Sequence, residues 1–399
     1  MRVVVDARML RSGGIGRYLR EIVGRWITQG YTAAGELELR LLGHPGEMGA
    51  WLESLGRRCG GEGSPPRSVG VEVIPWTDPI YSPQAHLRWL RHGATWTRGA
   101  QALFFPHWDA PTVPRGPPRV TTVHDLTQFL EPEGFPGWKR AIGRTMLRRA
   151  VNGTGRVLTV SGASREDLVR WFPDVAPWVT VIENGVDHGV FHPGQGGPRG
   201  EGSPAVPRRS PEFPEWTDLQ PYLLVVGPFK PHKGYATALE VLHRLREHAP
   251  GLRLVQVGPP EVRDEKVAQW FRDPTLAARV TRRQIVNDRE LNQAYRDSLC
   301  LLHPARREGF GLPPLEAMAA GTPALVAARS SLPEVVGSAG LLLDPDDPSA
   351  WAHAVRRLLA EPEWREEWIR KGRARAAAFS WDRSAQRTLA AIREAVAVG

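Results

Sequence analysis

Two glutamates eight residues apart, Glu308 and Glu316 in HPARREGFGLPPLEAMAAGTP, are joined by a Gly-Phe-Gly-Leu-Pro-Pro turn. The turn glycines free Glu308 and the neighbouring backbone N–H groups to face a ligand, and Pro314 suits the first turn of a helix PLEAMAAG that holds Glu316. N–H groups at a helix N-terminus favour an anion. The plain alternative is a surface Glu308 and a Glu316 set against the helix dipole. That alternative leaves so specific a turn unexplained. Just downstream, SSLPEVVG (330–337) brings Ser330, Ser331 and Glu334 to another helix start.

A second cue comes from lysine. Of 52 Lys plus Arg only five are lysines, and two of them, Lys230 and Lys233, share the loop in VVGPFKPHKG. A compact, flexible ammonium suits a phosphate, although any solvated loop can carry lysine. After the first strand-like run, RSGGIGRY sets Gly13, Gly14 and Gly16 at the approach to a helix. Such glycines either admit an anion to backbone N–H groups or simply make a tight turn. The dinucleotide pattern G-x-G-x-x-G fails, because Leu19 occupies its last position. His124 and Asp125 follow the run RVTTV, where a histidine is either functional or merely hydrogen-bonded. Asp344 and Asp346 in LDPDD match D-x-D, but they sit in a polar turn that starts a helix, so no metal is expected.

Alternating strand-like and helix-like runs must position these groups. Runs at 2–7, 37–43, 71–76, 102–106, 119–125, 156–161 and 178–185 read as strands. GRYLREIVGRWITQ (16–29) reads as an amphipathic helix, and SREDLVRWF as a short helix capped by Ser164 with Asp167 three residues on. The alternation restarts beyond 220, with strands at 222–227, 252–258, 298–304, 322–327 and 340–344. Helices follow at 234–248, near 261–271 and from about 314 to 320, and the chain ends helical. Residues 192–219 hold five glycines and six prolines in 28 positions, the composition of a linker or insertion. Two doubly wound α/β halves are expected, with ligands at the carboxyl ends of the strands.

Composition sets the outer limits. At 399 residues the chain suits two domains; 41% hydrophobic and 24% charged residues are ordinary for a globular protein. No run is long and apolar enough for a membrane span, and MRVVVDARML reads as a strand, so a cytoplasmic protein is the expectation, with the inner membrane face as a further option. Cys59 and Cys300 support neither a disulfide framework nor a cysteine zinc site. The net charge of +9 is spread along the chain with interleaved acids, which argues against nucleic acid as a partner. Lipid head groups and nucleotide phosphates are the other anions it could meet. GWKRAIGRTMLRRA (137–150) reads as a basic helix carrying Trp138, Ile142, Met146 and Leu147. It is either a solvated face over a core stripe or an interfacial helix on anionic lipid.

Taken together, Asp6 and Arg8 with GGIGRY, then VHDL, VSGASREDL, IENGVD, VGPFKPHKG, GFGLPPLEAMAAGTP and SSLPEVVG resemble the retaining, nucleotide-sugar-dependent glycosyltransferases of family 4. The Glu308–Glu316 spacing is similar to that family's E-x7-E signature, and the resemblance is nearest to the bacterial mannosyltransferase-like branch. It implies the GT-B fold, two Rossmann-like domains facing each other across a cleft. Residues 1–191 would be the acceptor domain, completed by a helix from about 382 to 399, and 220–381 the donor domain. It also implies roles. Lys233 would contact the donor diphosphate, Glu316 the ribose, and Glu308 the transferred sugar. Gly258, Gly309 and the N–H groups of Phe310, Gly311 and Leu312 would complete the donor set. His124 would face the sugar as a catalytic group beside Lys233 and Glu308, and Gly14 would lie near the diphosphate or acceptor. Gly13, Gly16, Arg17 and Asp125, with His107 and Trp108 of FPHWDAP and the 126–138 loop, would line the acceptor side. The implied reaction moves a hexose from a nucleoside-diphosphate sugar, GDP-linked by preference, to a hydroxyl acceptor with no cofactor. Many relatives carry arginine where this chain has Pro228, and some where it has His232; Lys230 is the candidate replacement cation. The competing readings are a nucleotide-sugar-binding protein without turnover, and an epimerase or phosphorylase on the same fold.

Overall fold

The computed structural model describes residues 1–58, 70–109, 111, 116–130, 137–152, 155–194, 213–262, 264–285 and 287–398. They form two compact units, 1–185 with 381–399, and 186–380. The division thus falls at 185/186 and 380/381, so residues 186–191 pack with the second unit rather than the first.

In the first unit, β1 (Arg2–Asp6), β2 (Glu38–Gly43), β3 (Val71–Pro75), β4 (Ala102–Phe105), β5 (Arg119–Val123), β6 (Arg156–Thr159) and β7 (Val179–Val181) make a parallel sheet. Its order is β3-β2-β1-β4-β5-β6-β7, so the chain reverses direction across the sheet between β1 and β4. Each strand lies inside a run marked in the sequence; β1, β4, β5 and β6 are buried and read as largely apolar runs, whereas β3 and β7 are only half-buried. The connecting helices are α1 (Gly13–Thr28), α2 (Pro45–Arg58), α3 (Pro83–Trp96), α4 (Thr127–Leu130), α5 (Gly137–Asn152) and α6 (Gly162–Trp171). α6 begins earlier than expected. Its cap is Ser161, whose side chain accepts from Ser164 N, and Ser164 instead turns its hydroxyl to the carbonyl of His124.

The second unit contains α7 (Pro214–Thr217), β8 (Tyr222–Val226), α8 (Tyr235–Arg244), β9 (Arg253–Val257), α9 (Glu265–Trp270), α10 (Pro274–Ala277), β10 (Val280–Arg283) and α11 (Asp288–Asp297). Then come β11 (Cys300–His303), α12 (Leu312–Ala320), β12 (Ala324–Ala327), α13 (Leu332–Val336), β13 (Leu341–Leu343), α14 (Pro348–Ala360) and α15 (Pro362–Ala376). Its parallel sheet runs β10-β9-β8-β11-β12-β13. β10 escapes sequence reading because this edge strand, VTRR, is polar and only half-buried. Residues 195–212 of the expected linker lie outside the described residues, but 213–219 do not behave as one. Trp216 of α7 is buried against Tyr222, with the Arg283 guanidinium 5.3 Å from its ring.

The chain closes with α16 (Trp381–Val398), which belongs to the first unit. Successive residues of a strand face opposite sides of a sheet, and Phe104 and Phe105 of β4 divide the first unit's helices accordingly. Trp26 of α1 packs on Phe104 and donates to the Ala385 carbonyl of α16. Phe105 joins Trp76, Trp89 and Trp96 with Ala150, so α3 and α5 cover the other face.

Candidate active site

In the second unit the chain reverses between β8 and β11, and both strand exits carry candidate residues. At such switch points the loops splay apart and leave a crevice. Lys233 follows β8 and Glu308 follows β11. The Lys233 Nζ donates to Glu308 Oε2 at 2.8 Å, and His303 Nε2 lies 2.8 Å from the same oxygen. Burial alone would raise the Glu308 pKa, but the Lys233 and His303 contacts outweigh it and hold the carboxyl well below the usual range. Burial pushes the His303 pKa down, so the imidazole is neutral and donates from Nε2. Its Nδ1 is buried with no hydrogen-bond partner among the described residues. Sequence reading named Lys233 and Glu308 but neither their pairing nor His303, whose only signal was its place at a strand end.

Two glycines make this contact feasible. Gly234 adopts φ 65°, and a Cβ there would sit 2.1 Å from the Pro304 carbonyl oxygen. Arg306 N also donates to His232 O, clamping the Lys233 loop against the β11 exit. Gly311, at φ 115°, opens α12, and no side chain caps that helix. The turn before it is held from outside: Ser331 Oγ lies 2.9 Å from Glu308 O and 2.8 Å from Phe310 O. Ser330 Oγ donates to Glu308 O while its backbone takes φ 55°, which is costly for a residue with a Cβ. α12 starts at Leu312, before the expected 314, so Glu316 falls in its second turn. There it is buried and accepts from the Tyr295 hydroxyl at 2.9 Å. Gly309 is buried in the turn, and the Phe310 ring packs against Phe379. Gly258 is glycine because a Cβ would meet the Gly227 carbonyl oxygen at 2.7 Å. Lys230 is half-exposed, one residue before the 3-10 turn Pro231–Lys233.

The first unit also gathers its polar residues around its reversal point, at the exits of β1, β4 and β5. Arg8 forks onto Asp6 and reaches Asp109 at 3.4 Å, with its guanidinium 3.5 Å from the Trp76 ring centroid. Burial would raise the Asp6 pKa, but Arg8 and His107 hold it far below the ordinary value. Asp109 also accepts from Tyr81 N at 2.7 Å and faces His86 Nε2 at 3.2 Å. Tyr81 and His86 had no signal in the sequence, whereas Asp109 lies within the FPHWDAP stretch. Three expectations need correction here. His107 is fully buried and faces inward to Asp6, so it orders the strand exit rather than lining a surface. Trp108 is a core residue between Tyr81 and Phe129. Gly16 is buried because a Cβ there would lie 2.6 Å from Leu10 O, so it serves helix packing and does not face a ligand.

Gly13 and Gly14 do stand exposed with open space around them, and Arg17 is half-buried in α1. His124 Nε2 donates to Pro106 O at 2.9 Å, and the Tyr18 ring meets its edge. Burial pushes its pKa down to about 4, so it is neutral with its proton on Nε2. Asp125 accepts from Thr127 N and starts α4, while part of the 126–138 loop, 131–136, lies outside the described residues. Asp346 is forked by Arg306, and Asp344 faces Arg329 at 3.5 Å. Among the described residues no group of three or more His, Cys, Asp or Glu is placed to hold a metal ion.

Two family descriptions match this chain: Glycosyltransferase Family 4 over residues 12–190 and Glycosyl transferases group 1 over 208–375. O-antigen chain mannosyltransferase B of Escherichia coli is 30% identical over 277 residues, 69% of this chain and 70% of that protein. The chain belongs to the family 4 glycosyltransferases. Solved structures agree on the fold of this glycosyltransferase. Sucrose-phosphate synthase of Thermosynechococcus elongatus superposes with TM-score 0.73 at 18% identity over 100% of both chains. Anabaena HepE in complex with UDP-glucose gives 0.68 at 18% identity over 98% of this chain and 99% of that one. The fold is therefore the pair of Rossmann-like domains of the GT-B class. Among the described residues, no helix of this glycosyltransferase is long and apolar enough to cross a membrane.

Proposed function

We propose that this glycosyltransferase moves a hexose, mannose-like, from a nucleoside-diphosphate sugar to a hydroxyl acceptor, with retention of anomeric configuration and without a metal ion. The observation that carries the reading is the Lys233–Glu308–His303 group at the β8/β11 reversal, beside the uncapped N-terminus of α12. Departure of a nucleoside diphosphate builds negative charge on phosphate oxygens, and preorganised donors stabilise it by roughly 2–4 kcal/mol each. An ammonium has three donors; one of those on Lys233 engages Glu308, which leaves two for phosphate. The α12 N–H groups supply the rest.

Glu308 stays ionised well below neutral pH and so cannot serve as a general acid. Its part is to orient Lys233 and to accept hydrogen bonds from hydroxyl groups of the transferred sugar as positive charge grows on the ring. Attack on the same face as the departing phosphate, with that phosphate taking the acceptor proton, yields retention. The E. coli relative, a mannosyltransferase by name, supports the sugar, and HepE in complex with UDP-glucose supports the donor class. A GDP-sugar is the donor favoured here.

The test is a thermal-shift titration with GDP, UDP, ADP and dTDP, each with and without EDTA, followed by NMR assignment of the product anomer. A diphosphate that binds only the folded state raises the midpoint with concentration. One diphosphate shifting the midpoint equally with EDTA, and a retained anomer, are expected. An EDTA-sensitive shift or an inverted product overturns the metal-independent or the retaining part respectively.

A further inference from the structure

The face of the first unit covered by α3 and α5 differs in charge from the face covered by α1 and α16. Trp89 and Trp96 of α3 and Ala150 of α5 pack into one cluster with Phe105, so both helices show their outer sides in the same general direction. Residues 83–96 and 137–152 together carry seven Lys or Arg and no Asp or Glu. On that cationic ground stand three aliphatic side chains, Leu87 (59% exposed), Leu90 (75%) and Ile142 (53%). Leu87, Leu90 and Arg91 are spaced i, i+3, i+4 and therefore line one stripe of α3. The opposite face of the unit is different. There α1 and α16 mix signs, and Arg25 is paired with both Glu21 and Asp382.

We infer that the α3–α5 face docks this protein on the surface of an anionic phospholipid bilayer. Exposed arginines meet the negative surface potential of such a leaflet, where each cation is worth about a 5-fold gain in binding. Arg91 and Arg148 have no ion-pair partner among the described residues, while Arg88 is held by Asp78 and Arg144 lies over the Trp171 ring. Leu87, Leu90 and Ile142 then supply what an interfacial helix needs, apolar groups that enter the head-group boundary. A nucleic-acid backbone would use the same cations but has no place for three aliphatic side chains, so lipid is the occupant that fits both observations. Sequence reading had placed the candidate interfacial stripe on the second helix alone. The structure turns Leu147 of that stripe into the core and, among the described residues, exposes two leucines on α3 against one isoleucine on α5. The inference stands on exposure and charge and needs no catalytic step. Joined to the proposed reaction, it makes the acceptor a lipid-linked hydroxyl compound.

Sedimentation of the full-length chain with phosphatidylcholine vesicles, and with vesicles holding about a quarter phosphatidylglycerol, tests it without any activity assay. Binding to the anionic vesicles only, reduced at least 10-fold by 500 mM salt, is expected. Arg91→Glu with Arg148→Glu should cost at least 10-fold, and Leu87→Ser with Leu90→Ser a similar factor while leaving retention on a heparin column unchanged. Arg246→Glu with Arg356→Glu, exposed positions on the second unit, should bind as wild type, and unfolding midpoints verify that each variant is folded. Absence of binding to anionic vesicles overturns the proposal. So does an equal loss in the second-unit control, which would make net charge the cause, or vesicle binding indifferent to the leucine changes, which would point to a polyanion site. Should a variant not fold, the salt dependence and lipid selectivity of the wild type still decide.

Discussion

Lys233 and Glu308 stand 75 positions apart in the chain and 2.8 Å apart in the fold, and that contact concentrates the chemistry at the residue scale. Lys233→Ala should abolish the midpoint shift from the cognate diphosphate and lower the rate by about 10²–10³. Lys230→Ala should weaken both more modestly if Lys230 supplies the cation missing at Pro228. Unchanged affinity and rate in that variant, beside full loss in Lys233→Ala, would remove Lys230 from the site. His124 yields a stability prediction. Its folded pKa of about 4 lies below the unfolded value of about 6.5. The unfolded chain therefore takes up the proton first as pH falls. The contribution is complete above about pH 6.5 and is lost between there and pH 4, a span worth roughly 3 kcal/mol. Denaturant unfolding of His124→Asn should fall less steeply with acidification over that window than wild type; parallel curves would show that burial does not depress this pKa. At this scale the sequence announced residue types well and contacts poorly. Gly16 looked like its neighbours Gly13 and Gly14, yet only the fold reveals that the Leu10 carbonyl occupies the space beside it.

Among the elements, parallel strands were legible because burial on both faces writes continuous apolar runs, while polar β10 at the edge was not. Helix starts were less so: both Ser161 and Ser164 could cap α6, and only geometry decides for Ser161. Ser161→Ala should cost about 1 kcal/mol in thermal or chemical unfolding, more than Arg170→Ala on the exposed end of the same helix. The turn before α8 is more demanding. Gly234→Ala combines a left-handed backbone with a Cβ driven into Pro304 O, so a destabilisation of at least roughly 1–3 kcal/mol is expected. The same change should weaken diphosphate binding, because the loop that carries Lys233 must move; wild-type affinity in a folded Gly234→Ala protein would show that the clamp is not required.

On the scale of the molecule, composition and alternation were enough to read two α/β halves, and the closing helix was assigned to the first half from family resemblance alone. Exact boundaries were not legible, because Gly and Pro density marks where a chain avoids regular structure and not where its contacts change partner. Thus 213–219, inside the richest Gly/Pro stretch, carries the buried Trp216. Nor could the sequence say which helix face would remain uncovered, since Leu87 and Leu90 follow the same periodicity as core positions.

The return of α16 to the first unit also dictates an order of events during synthesis. Trp26 has its indole partner at Ala385, and Tyr18 packs against Trp381, both some 360 residues later in the chain. The first unit therefore emerges from the ribosome with one face of its sheet incompletely covered. It must wait for the 195 residues of the second unit (186–380), roughly 10–40 s at ordinary elongation rates. A nascent chain stalled within that interval exposes Phe104-face hydrophobics to chaperones and proteases.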